Sequence, residues 1–179
     1  MTDEYSETDI TAALLLSDAV KNKETAELRQ LSSRFDSDFI QLNGSHTFLH
    51  TFIVLNMISG EDFPQDVWSA IPNEVIASIS QTADELGCEE QLLNGMIASF
   101  LQQNAYFVFE EKEPKLLNPD SYSAGYFHIA VAVGEAVRAM LQVAADKRFD
   151  GKYETVRKLI EDYLLVQEAV RVEDEQSGV

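Results

Sequence analysis

The segment 123–145, SAGYFHIAVAVGEAVRAMLQVAA, is apolar around its whole circumference, and Glu135 and Arg138 are its only charged residues. A helix without a polar face must be enclosed by other elements, so this stretch predicts a central core helix, capped by Ser121 or Ser123 and running to about Ala145. A membrane span needs roughly 20 consecutive apolar residues. The Glu135 and Arg138 charges interrupt such a run, which argues for burial in protein. The abundance of Ala, Gly and Val predicts close approach of a neighbouring helix, because interaxial distance follows the size of the contacting side chains.

A second all-apolar helix is expected over 46–59, with Ser45 as its N-cap and Gly60 as its terminator. Phe48, Leu49, Phe52, Ile53, Val54, Leu55, Met57 and Ile58 cover most of its surface. Around these two, the spacing predicts amphipathic helices. Ser6 or Thr8 caps a first helix carrying Ile10, Ala13, Leu14 and Val20. Leu28, Leu31 and Phe35 form either a new helix or a bent continuation. Pro64 and Pro72 read as first-turn prolines, giving a short helix through Val67 and Trp68 and a longer one from Asn73 to Leu86 that Gly87 stops. Leu92, Leu93, Met96, Ile97, Phe100 and Leu101 mark a helix from about Glu89 to Asn104. Tyr106 to Phe109 either extends it or forms a short strand with Phe39 to Leu42, and 110–120 is loop-like. After an Asp150-Gly151 turn, Val156, Leu159, Tyr163, Val166 and Val170 define a last helix over 152–171.

The fold class expected is therefore all-α: a single-domain bundle of about six to eight helices spanning 1–172, with one optional short strand pair. Residues 173–179 are expected to be a disordered acidic tail. The length of 179 residues supports one core that buries about 70% of the unfolded chain's surface. Cys88 is the only cysteine, so an internal disulfide is excluded and a reducing, cytoplasmic setting is expected. The acidic start, MTDEYSETD, lacks the basic and apolar regions of a secretory signal.

Charge is the strongest functional signal. From Phe35 to Glu111 there are 77 residues with 12 Asp and Glu and no Lys or Arg, so two-thirds of the net charge of −18 lies in that block. Such a field repels phosphates and anionic lipid, which excludes direct nucleic-acid binding and a membrane-surface role. It attracts basic proteins. Asp62, Asp66, Glu74, Asp84, Glu85, Glu89 and Glu90 are the candidate partner-binding residues. Glu74, Glu89 and Glu90 sit near helix starts, where the dipole favours them. Asp84 and Glu85 close a helix against that preference, which points to an external partner.

The function expected is that of a non-enzymatic acidic binding protein docking on a basic surface, for instance of a nucleic-acid-binding protein, as an inhibitor or DNA mimic. Mimicry requires a row of carboxylates at the roughly 7 Å spacing of phosphates along a strand. A solvated acidic surface accounts for the same composition.

The alternative is a metal-dependent helical-bundle enzyme. His46 and His50 stand one turn apart and His128 lies on the other apolar helix, a set able to hold one divalent ion, with Asp18 and Glu135 as supporting carboxylates. No catalytic motif is present, and no cofactor is expected. Cys88 precedes a helix start, but Glu89 and Glu90 oppose thiolate formation, so an inert thiol is expected. A structural, self-associating role is the third reading, with a homodimer formed through the 152–171 helix around Tyr163.

Overall fold

A computed structural model describes residues 2–34, 51–55, 63–109 and 126–176. The protein is all-α; among the described residues there are seven helical segments and no strand. They are α1 (Thr2–Lys21), α2 (Thr25–Arg34), α3 (51–55), α4 (Phe63–Leu86), α5 (Glu90–Phe109), α6 (Tyr126–Arg148) and α7 (Tyr153–Gln176).

Helix α6 is the axle. It packs against α1, α2, α4, α5 and α7. Every residue from Ile129 to Val137 is buried. Over Phe127–Arg148 it is long and apolar enough to cross a membrane by length and composition, but 78% of that window is buried inside the protein. The Glu135 and Arg138 charges therefore do not settle the matter by composition alone. Enclosure by neighbouring helices identifies it as a core helix.

The closest approach occurs at Gly134. A Cβ built there would lie 2.6 Å from Val20 Cγ2 and 2.7 Å from the Leu16 carbonyl oxygen. Helix α1 therefore rests directly on the α6 backbone. Ala13, Leu14, Leu16 and Val20 are buried along α1, as are Leu28 and Leu31 on α2.

A tight turn separates α1 from α2, so the second stripe is a new helix. Lys23 there adopts φ 56°, and the Glu24 N–H donates to the Ala19 carbonyl at 2.9 Å, closing α1 with a left-handed cap. Such a φ costs a non-glycine residue about 1–2 kcal/mol. The half-buried Lys23 side chain gains a hydrogen bond from Nζ to Thr82 Oγ1 at 2.9 Å in that conformation. The start of α1 differs from expectation: it is helical from Thr2. Ser6 and Thr8 lie inside it.

Helix α4 is also longer than its prolines suggest. It runs unbroken through Pro72, so the expected break into two helices does not occur. An interior proline removes one backbone hydrogen bond and costs about 3 kcal/mol. Val67, Ile71, Val75 and Ile79 are buried along one face on both sides of it, and Trp68 meets Phe52 edge-on at 5.0 Å. That burial offsets the local cost. Gly87, at φ 69°, ends the helix as expected, with the Cys88 N–H donating to the Ala83 carbonyl at 2.8 Å.

Of the two alternatives for Tyr106 to Phe109, extension of the preceding helix holds, since α5 runs to Phe109; residues 39–42, the partner in the strand alternative, lie outside the described residues. Residues 173–176 belong to α7 and not to a disordered tail. Once α7 is anchored by its packed turns, adding Glu and Gln residues costs little, because propagation needs no new nucleus. Within the 46–59 segment, 51–55 is helical, with Thr51, Phe52, Val54 and Leu55 buried and Ile53 exposed. The rest of that segment, with the stretch 110–120 expected to be a loop, lies outside the described residues.

Helix α7 is held to α1 by a polar seam. Tyr153 donates to Ser17 Oγ at 3.1 Å, and Ser17 donates to the Leu14 carbonyl at 2.8 Å. The Lys21 ammonium sits 3.9 Å from the Tyr153 ring centre and 3.2 Å from Glu154. Arg157 grips both oxygens of Asp18 through Nε, at 2.8 and 2.9 Å, and reaches Glu161 at 2.8 Å.

Two measurements check this packing. Gly134→Ala must push Val20 and the α1 backbone aside, and chemical denaturation should show a loss of about 1–3 kcal/mol with helicity retained. Burial pushes the Tyr153 hydroxyl up to about 12 from its ordinary 10.0. Its contribution to stability is therefore complete below pH 10 and lost as pH rises through 12. The stability difference between wild type and Tyr153→Phe should fall by on the order of 2 kcal/mol over that interval.

Candidate functional site

The expected acidic site is divided by the fold. Asp84 and Glu85 occupy the last turn of α4, Gly87 and Cys88 make the turn, Glu89 supplies the carbonyl that accepts the Leu93 N–H at 3.1 Å, and Glu90 opens α5. All four carboxylates are exposed. Gln81 donates to Glu85 at 2.8 Å, and no described Lys or Arg forms an ion pair with any of the four. Two cations lie in the neighbourhood of the turn: Arg29 on α2, whose guanidinium lies 4.4 Å from the Phe127 ring centre and whose charge is felt at Cys88, and Lys23, which bonds Thr82 two residues before Asp84. Burial nevertheless raises the Cys88 thiol above its ordinary value, with Arg29 opposing weakly, so the thiol stays protonated at neutral pH as expected.

The other acids are elsewhere. Asp66 is exposed five helical turns before Asp84 on the same face of α4, about 27 Å away at 1.5 Å per residue. Glu74 turns inward to accept from Arg138 Nη1 at 3.3 Å. Asp62 lies outside the described residues.

About two to three helical turns from the acidic turn, a groove of about 260 Å³ between α4 and α5 has walls that include Pro72, Val75, Ile76, Ile97 and Leu101. Ile76 is 65% exposed at its edge. Charge at one end and an uncovered aliphatic surface along the same helix pair give this face the chemistry of a contact surface.

Arg138 and Glu135 belong to a second constellation, between α4 and α6. Glu135 is 0% exposed, and its carboxylate is fully engaged. Arg138 donates Nε to Oε2 at 3.1 Å and Nη2 to Oε1 at 3.0 Å. Ser78 donates to Oε1, and Thr82 donates to Oε2 at 3.5 Å. Arg138 Nη2 also reaches Ser78 Oγ at 2.7 Å, and Lys23 joins from the α1–α2 turn through Thr82. Burial works against the Arg138 charge, yet the hydrogen bonds and charges of Glu135 and Glu74 outweigh it and hold the guanidinium above its ordinary value. The network is a saturated lock. It ties α4 to α6 and leaves neither a free base nor a free acid for chemistry.

The metal alternative gains no support from these positions. His46 and His50 lie outside the described residues, and His128 is half-buried with its ring edge-on to Phe127 at 6.1 Å. Among the described residues no group of three or more His, Cys, Asp or Glu side chains is arranged to hold a metal ion. The two carboxylates expected to support the histidines are committed elsewhere: Asp18 to Arg157, and Glu135 to Ser78, Thr82 and Arg138.

The lock was missed in the sequence, although its signal is present. Ser78 and Thr82 stand one turn apart on α4, while Glu135 and Arg138 are the only charges in the apolar stretch 123–145, so they must find partners. No family model matches this chain, and neither a curated protein nor a solved structure shows similarity to it.

The lock is tested by breaking it in two ways. Glu135→Leu leaves the half-buried Arg138 with Glu74 as its remaining described counter-charge and should cost about 3 kcal/mol in urea denaturation. Glu135→Leu combined with Arg138→Met should cost less than Glu135→Leu alone.

Proposed function

We propose that this protein is a non-enzymatic binding protein whose acidic α4–α5 turn docks on a basic surface of a partner protein and blocks or adapts it. The observation that supports this most is the gathering of Asp84, Glu85, Glu89 and Glu90 on one exposed turn without a described cationic partner, inside a block of 77 residues that contains no Lys or Arg. Four uncompensated carboxylates on one turn repel one another, and a cationic partner relieves that repulsion. The groove carrying Ile76 adds aliphatic surface on the same helix pair. Charge supplies steering and specificity, while the apolar contact supplies residence time.

Grouping on one turn favours a compact basic patch over the groove of a duplex-binding protein. A DNA mimic needs carboxylates in a continuous row, and Asp66 stands apart from the turn by about 27 Å. The cytoplasm is the setting that fits a lone protonated thiol.

The test compares immobilised wild type with a variant carrying Asp84→Asn, Glu85→Gln, Glu89→Gln and Glu90→Gln, each exposed to extract from the native cells. Matching circular dichroism spectra confirm equal folding. Wild type should retain a basic protein that salt releases and the variant does not hold. Retention of the same proteins by both forms would assign the charge to solvation and discard the docking role.

A further inference from the structure

Helix α7 carries an apolar surface that the other described residues do not cover. Tyr153, Val156 and Ile160 are buried, and Tyr163 and Leu164 pack partly against the core. Beyond them Leu165 is 62%, Val166 59% and Val170 48% exposed. The heptad stripe seen in the sequence is therefore split: its first half builds the core, while Val166 and Val170 run past it. Leu165 also forms one wall of a groove of about 340 Å³ between α7 and α1, with Leu14 and Leu15 opposite.

We propose that this surface pairs with the same surface of a second copy of the chain, the two α7 helices lying antiparallel about a twofold axis that passes between Leu165 and Val166. The charges on the helix select both the occupant and the register. At 100° per residue, Lys158, Asp162, Leu165, Val166 and Glu173 fall within an arc of about 100°. Lys158 and Glu173, both exposed, are equally far from the midpoint between Leu165 and Val166. In an antiparallel pair centred there, Lys158 of each copy faces Glu173 of the other, twice by symmetry. A parallel pair sets Lys158 against Lys158 and Glu173 against Glu173. Moving the axis two residues toward the C-terminus sets Asp162 against Glu173. The stated register sets Leu165 against Val166 and Lys158 against Glu173.

Lys158 is available for this. Its own-chain contact is with Asp162 at 3.8 Å, between side chains that are both exposed, a pairing of little energetic consequence. Tyr163 is not part of the contact, because it is packed against the core. The surface is independent of the acidic α4–α5 turn, so the dimer and the docking role stand or fall separately.

Light scattering and sedimentation velocity on the full chain read the outcome directly. Wild type should show twice its 20.1 kDa mass at high protein concentration and dissociate on dilution. Leu165→Glu with Val166→Glu should give a monomer whose helicity and thermal midpoint are unchanged. Lys158→Glu alone and Glu173→Lys alone should each weaken the dimer about tenfold, and the two together should restore it. A wild type that stays monomeric, or a dimer that survives Leu165→Glu with Val166→Glu, would overturn the proposal. Single charge reversals without effect would overturn the antiparallel register. The proposal also predicts that Tyr163→Glu lowers the thermal midpoint, since it strikes the core.

Discussion

Everything else in this structure follows from the enclosure of α6. A helix surrounded by five others cannot use large side chains at every contact, and the α1 side is the most demanding. There the solution is the absence of a side chain at Gly134, which lets Val20 and the Leu16 carbonyl come to within van der Waals distance of the α6 backbone. Ala130, Ala132, Ala136, Ala139, Ala144 and Ala145 extend the economy of volume along the helix. Close packing of this kind gains dispersion energy over many weak contacts, and it is intolerant of one added methyl group.

Enclosure also turns Glu135 and Arg138, the two charges within the apolar stretch of α6, into determinants of register. Glu135 cannot reach water, so α4 must present Ser78 and Thr82 to its oxygens, and Glu74 must approach Arg138. A slide of α4 by one turn would take one of the two hydroxyl donors from the buried carboxylate and carry Glu74 away from Arg138, at a cost of about 1–3 kcal/mol for each lost partner. The left-handed Lys23 belongs to the same arrangement, since its ammonium meets Thr82 and thereby links the α1–α2 turn to the lock. Apolar packing alone would permit several neighbouring registers of α4. The polar lock favours one.

The legible parts of this fold were those determined locally. The absence of a polar face announced α6 as a core helix, Gly87 announced the end of α4, and Asp150 and Gly151 announced the last turn, where both adopt positive φ. What escaped depended on tertiary partners. Pro72 looked like a helix start because the burial of Val67, Ile71, Val75 and Ile79, which holds α4 together across it, is not a local property. The lock joins residues 53 to 60 positions apart, so no window of sequence contains it. The acidic residues were visible as charges, but helical phase relative to α6 decided that Glu74 turns inward and Asp84 outward. The α7 stripe had the right period for a core helix throughout, and only the limit of its neighbours left Val166 and Val170 uncovered.

The pairing of α4 with α6 runs antiparallel, since Glu74 meets Arg138 while Ser78 and Thr82 meet Glu135. Contacts of Arg29 with Phe127 and with the neighbourhood of Cys88 place the α4–α5 turn toward the beginning of α6. The end of α6 and the start of α7 instead carry Lys147, Arg148 and Lys152 interleaved with Asp146, Asp150 and Glu154, a nearly neutral mixture. Among the described residues, the end of the α4–α6 pair at the turn therefore carries uncompensated negative charge, while the opposite end is balanced. A positive charge approaching this helix pair is attracted more strongly at the turn than at the opposite end.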